Sequence, residues 1–132
     1  MTARIRQQGM KAMKLLLLGA LCLWLSGCGS SAPPIEIDPA LVEGTLTTDP
    51  SPPVAGEPMQ LRVQFSGAEL TDQADVAVEI RAAGRPTLVD AEFDAGAFVG
   101  THTFASAGTF EVYLHLYVDD LHIAKKTEVT VE

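Results

Sequence analysis

The residues of this chain best suited to chemistry cluster near its end: Tyr113, His115, Tyr117 and His122, with His102 further back. Glu111, Tyr113, His115 and Tyr117 alternate with Phe110, Val112, Leu114, Leu116 and Val118, so they share the polar face of a strand whose other face is apolar. Asp119-Asp120 then turns a two-residue hairpin into a last strand from Leu121 to Val131. In that register Val118 opposes Leu121, Leu116 opposes Ile123, Tyr117 opposes His122 and His115 opposes Ala124. His115 and His122 become diagonal neighbours, about 7 to 8 Å apart at the backbone and within reach of one ion. Three readings of this face stay open: a solvated surface, a partner-binding patch with Tyr113 and Tyr117, and a metal site with His115 and His122 as ligands. His102 has inward parity in a strand of the opposite sheet and reads as a buried, hydrogen-bonded core histidine. The register puts Lys125 on the inner face opposite Leu114.

Other chemistries lack their residues. Phosphate-cradling glycine motifs, a nucleophile elbow with a Ser-His-Asp order, zinc spacings and HExxH are absent, and no nucleophile has a paired base, so an enzyme is not expected. Asp90, Glu92 and Asp94 alternate with Val89, Ala91 and Phe93 and read as a solvated face.

Cys28 is the remaining reactive side chain. It follows a basic stretch (Arg4, Arg6, Lys11, Lys14), an apolar stretch from Leu15 to Leu25 and the small residues Ser26 and Gly27, the order of parts in a secretory signal. The apolar stretch is about half of the roughly 20 residues needed to span a bilayer as a helix. Met10 and Met13 each begin a more ordinary signal than Met1 does. Leu25-Ser26-Gly27-Cys28 resembles the lipobox of bacterial lipoprotein signals at all four positions. That resemblance implies cleavage before Cys28, a diacylglyceryl thioether on its sulfur and, in many bacteria, an acyl chain on the new amino terminus. Two or three chains, at about 0.8 kcal/mol per buried methylene, anchor durably where one chain binds marginally. The expected location is the cell membrane or outer membrane, with the chain lipid-anchored and facing the periplasm or exterior.

Cleavage has two further consequences. Cys22 leaves with the signal and Cys28 is capped, so no disulfide is expected. Four basic residues and no acidic ones also leave, which turns a formal net charge of −8 into five basic against 17 acidic residues, or −12. Such a surface is a poor partner for nucleic acid.

The expected organisation is a signal peptide over 1–27, a flexible Ser/Pro tether over 28–40 and one domain over 41–132. In that domain, period-two alternation between turn residues predicts about seven strands. They run over Leu41 to Thr48, Met59 to Phe65, Val76 to Ile80, Val89 to Phe93, Phe98 to Phe104, Phe110 to Val118 and Leu121 to Val131. A loop is expected through Gly84 and Pro86, and turns at Asp94-Ala95-Gly96 and Ser106-Ala107-Gly108. Strand count and alternation point to an all-β fold, an antiparallel immunoglobulin-like β-sandwich, although its Cys and Trp landmarks are missing and Trp24 lies in the signal.

Asp49-Pro50-Ser51-Pro52-Pro53 and Gly56 ahead of the second strand, Gly96-x-Phe98, Phe104 and Gly108-x-Phe110 together resemble the YtkA-like domain of small bacterial lipoproteins, related to FixH-like proteins. The resemblance covers residues 41–132 and implies an envelope-facing module, with copper handling or oxidase assembly suggested for some relatives. It places His102, His115 and His122 where some members carry histidines, whereas the Arg81 to Pro86 loop lacks the Met and His residues that would strengthen a copper reading. The expected function is a membrane-anchored, non-catalytic binding or accessory module with an envelope protein as partner. The alternative is a periplasmic metal-binding (copper) protein or chaperone.

Overall fold

A computed structural model describes Gly29 and residues 36–132; the expected signal peptide, the lipobox Leu25 to Cys28 and most of the tether lie outside the described residues. The described chain is all-β. Seven antiparallel strands follow one another: β1 (Glu43–Asp49), β2 (Pro58–Ser66), β3 (Asp75–Ala82), β4 (Arg85–Asp94), β5 (Ala97–Thr103), β6 (Gly108–Val118) and β7 (Leu121–Val131). Their order is β1-β2-β5-β4-β3-β6-β7, the immunoglobulin-like sandwich expected from the alternation.

The strand β4 makes the two sheets one hydrogen-bonded surface. Residues 85–91 pair with β3, from Arg85 opposite Ala82 to Ala91 opposite Val76. Residues 92–94 pair instead with β5, from Glu92 opposite Val99 to Asp94 opposite Ala97. Gly100 marks the parting point, because a Cβ there would lie 2.9 Å from the Asp90 carbonyl oxygen and 3.1 Å from the Val89 side chain. Pro86 lies inside β4 rather than in a loop, an allowed place for proline because this half of the strand is an edge.

Alternation fills the space between the sheets. Met59, Leu61 and Val63 of β2, Val76, Val78 and Ile80 of β3, and Val112, Leu114, Leu116 and Val118 of β6 are all buried. Phe98 joins them, with Phe65 and Phe93 edge-on to its ring at centroid distances of 6.5 and 5.4 Å. Among the described residues the core holds no buried polar or charged side chain. Lys125 is the apparent misfit in β7, and the packing of β1 explains it. Gly44 brings the β1 backbone so close that a Cβ there would meet Leu114 at 3.1 Å and the Lys125 Cβ at 3.4 Å, so the Lys125 stem covers this seam while the side chain stays half-exposed.

The two ends of the sandwich are closed differently. At one end Leu41 N–H donates to the Asp38 carbonyl and Ile37 packs on the core. At the other end Glu132 N–H donates to the Pro53 carbonyl (2.9 Å) and Ala55 N–H donates to the Glu132 carbonyl (2.8 Å), so the segment after β1 covers the end of β7. Phe104, expected at the end of β5, lies just beyond it and is buried, its carbonyl accepting from Gly56 N–H at 2.7 Å.

Candidate functional site

The outer face of β3, β6 and β7 carries a connected row of polar side chains. The hairpin register is the expected one: Tyr117 opposes His122, His115 opposes Ala124, Leu116 opposes Ile123 and Val118 opposes Leu121. Asp119, in the two-residue turn, has a positive φ of 51°. On the other side of β6, Glu79 pairs with Tyr113, Ala77 with His115 and Arg81 with Glu111. These registers place side chains from three strands on one face.

His115 and His122 meet directly. The Nδ1 of His115 lies 2.9 Å from the Nε2 of His122, and its Nε2 lies 2.7 Å from a Glu79 carboxylate oxygen. Arg81 donates from Nε to the other Glu79 oxygen at 2.8 Å. Those contacts, Arg81 first and His115 second, hold the Glu79 carboxyl below its ordinary value, so it is an acceptor. The His115 Nε2 therefore carries a hydrogen. With both rings neutral, His115 Nδ1 accepts and His122 Nε2 donates. The Tyr117 ring lies on His122, 8° from parallel with centroids 4.3 Å apart, and fixes its plane.

The row continues through Arg81. Its guanidinium carbon sits 4.2 Å from the Tyr113 ring centroid, and Nη1 lies 3.6 Å from Glu111. Tyr113 donates its hydroxyl to Glu111 at 2.7 Å, and Lys126 reaches the second Glu111 oxygen at 2.7 Å. The Lys126 and Tyr113 contacts lower the Glu111 carboxyl, while Glu111 raises both Lys126 and the Tyr113 phenol. Tyr113 and Tyr117 thus stand at the two ends of the row, one over the ion pairs and one over the histidines.

His102 does not join this face. It lies on β5 opposite Met59, in the other half of the sandwich, with the inward parity expected. It is half-buried rather than sealed in the core, and its ring is edge-on to Phe104 at a centroid distance of 4.7 Å. Its burial lowers the imidazole pKa. Asp90, Glu92 and Asp94 are exposed, and Asp94 lies 3.5 Å from Arg62.

Glu79 and Arg81 are the members of the site that the histidine spacing did not disclose. The alternation of Val76, Val78 and Ile80 already put Ala77, Glu79 and Arg81 on an outer face; only the pairing of β3 with β6 set them beside His115. Among the described residues no group of three or more His, Cys, Asp or Glu side chains converges to hold a metal ion. The two facing histidine nitrogens form a two-donor set. No described helix is long and apolar enough to cross a membrane.

No family model matches the chain, and no curated protein matches it. A crystal structure of an engineered protein is similar, with a TM-score of 0.48 and 22% sequence identity over 72% of this chain. The match takes in 21% of that protein's chain, about one fifth of its length.

Proposed function

We propose that this chain is a membrane-anchored envelope lipoprotein, held through lipid on Cys28, whose YtkA-like sandwich is a non-catalytic binding or accessory module. The observation that carries this reading is the row from Tyr117 through His122, His115, Glu79, Arg81 and Tyr113 to Glu111. It is rigidified by mutual contacts, presents Tyr117, His122 and Arg81 to solvent over a half-buried middle, and is rich in the Tyr and Arg side chains that anchor protein interfaces. The partner is an envelope protein recognised by this face. Two experiments test the reading. Cys28→Ser moves the protein from the membrane to the soluble fraction, and retention of that variant after a high-salt wash refutes the anchor. Proteins co-purifying from detergent-solubilised membranes are lost with Tyr113→Ala/Tyr117→Ala and kept with Leu88→Ala, an exposed apolar residue on β4; equal retention refutes the face.

A second reading is favoured by the 2.9 Å approach of the two histidine nitrogens, with Glu79 on the far nitrogen of His115. A carboxylate behind a ligating histidine is the usual support of a metal site. An ion taken between them would be copper or zinc, the ions suited to imidazole, with its other positions left to water or to a partner. Neither ring must lose a proton to solvent, since His122 can shift its hydrogen to Nδ1. Titration with Cu(I), Cu(II) and Zn(II) then shows saturable binding that His115→Ala and His122→Ala each abolish. Binding untouched by both substitutions, or none, removes this reading.

A further inference from the structure

The tether limits how far the entry end of the sandwich can lie from the bilayer. Seven residues, 29–35, separate Cys28 from Glu36. Even fully extended, that connection spans at most about 28 Å. The chain enters the sandwich at one defined end. Glu36, Ile37 and Asp38 lie beside Val118, Asp119 and Leu121 of the β6–β7 turn, and the Leu41 carbonyl lies against Gly67 after β2. Tyr117 and His122 flank that same turn, and a groove runs from Tyr117 to Phe93 along β3 and β4. The opposite end, with Ala107 and Glu132, is a whole β6 length away, about 33 Å at 3.3 Å per residue.

Lipid is a poor occupant for the space beneath this end. Glu36, Asp38, Asp72, Asp75, Asp119 and Asp120 lie there. The described basic residues, Arg62, Arg81, Arg85, Lys125 and Lys126, lie in mid-strand or around the β3–β4 turn at the other end. Anionic head groups repel such a surface, most strongly within a Debye length of about 8 Å. Tyr117 and Phe93 are each more than a third exposed there, and aromatic side chains of this kind anchor protein contacts.

We propose that the tether-side end, from the β6–β7 turn across Tyr117 and His122 to Phe93, is the docking surface, and that its occupant is a basic extramembranous segment of an integral membrane protein in the same bilayer. This rests on the anchor at Cys28 and shares Tyr117 and His122 with the binding face. The far end, with Ala107 and Glu132, faces away.

Two measurements test it on the full-length lipidated protein. In the first, Asp120→Cys and Ala107→Cys each receive a donor dye, a labelling that the absence of other thiols in the mature chain permits. The proteins are placed in phosphatidylcholine vesicles carrying a head-group acceptor. Donor quenching is several-fold greater at position 120 than at 107; equal or reversed quenching overturns the orientation. Vesicle association itself, compared with Cys28→Ser, reports separately on the anchor. In the second, a photo-crosslinking residue replaces Tyr117 or Ala107 in cells. Position 117 gives a discrete adduct that resists alkaline extraction after the tether is cut by an engineered protease site, and Asp119→Lys/Asp120→Lys reduces it several-fold. No adduct from position 117, an equal adduct from position 107, or indifference to the charge reversal overturns the proposed occupant.

Discussion

Replacing Gly67 by alanine should damage this domain far more than the same change at Gly96. Both glycines have positive φ, 82° and 86°. An alanine in that conformation costs about 1 to 2 kcal/mol, less about 0.4 to 1 kcal/mol from the reduced freedom of the unfolded chain. At Gly96 nothing lies within 4 Å of the added Cβ, so the loss there stops at about 1 kcal/mol. At Gly67 the Cβ would sit 2.7 Å from the Leu41 carbonyl carbon and closer still to its oxygen, where ordinary contact begins at 3.4 Å. Both atoms are backbone, so Leu41 and Val42 must move together. Val42 is fully buried, and extracting such a side chain forfeits about 1.5 to 3 kcal/mol. Gly67→Ala should therefore cost about 2.5 to 4 kcal/mol in total. Far-UV circular dichroism in urea and on heating reads it, because the sole tryptophan, Trp24, precedes Cys28. The gap between the two variants should reach about 10 °C in Tm, at roughly 4 to 8 °C per kcal/mol. Equal losses for Gly67→Ala and Gly96→Ala would refute the close approach of Leu41 and the seating of the chain entry built on it.

Acid should weaken the fold in two stages. His102 has a lowered pKa, so below its ordinary value of 6.5 the unfolded chain takes up a proton first and stability falls until the folded pKa is passed; His102→Leu removes this stage in urea melts between pH 7 and pH 5. Glu79 and Glu111 are also lowered, so their contribution is present above the ordinary carboxylate value of 4.5 and is lost as pH falls through their folded values; Glu79→Gln flattens this second stage. Ala95→Asn should raise stability by about 0.5 to 1 kcal/mol, because alanine sits at φ 48° ahead of Gly96 in a two-residue turn that favours Asn-Gly. A urea midpoint unchanged or lowered would contradict that turn assignment.

The last hairpin was legible residue by residue, because alternation over eleven residues and a two-residue turn leave one register that keeps both faces consistent. Parity also put His115 and His122 together, and the side chains close the diagonal to 2.9 Å. Glu79 and Arg81 stayed hidden as partners because alternation orients a strand without saying which strand lies beside it. The start of β4 was obscured for a related reason. Pro86 signals a break when read alone, and only the edge position of this half-strand makes it acceptable. Lys125 looked like a parity error until β1 supplied Gly44, whose missing side chain makes room for the seam. Ordered packing also begins earlier than the first strand pattern suggests, at Ile37, since a single apolar residue against the turn carries no period.

The passage of β4 from one sheet to the other bears on how the molecule comes apart. Residues 85–91 hold to β3 and residues 92–94 to β5, so peeling either sheet away strains the strand that completes the other. Unfolding is then expected in a single cooperative step. A half-dissolved state with one intact sheet and a bare edge has little room on such a route. For a domain whose described residues include no cysteine, that cooperativity is what keeps sticky strand edges from being shown to crowded neighbours.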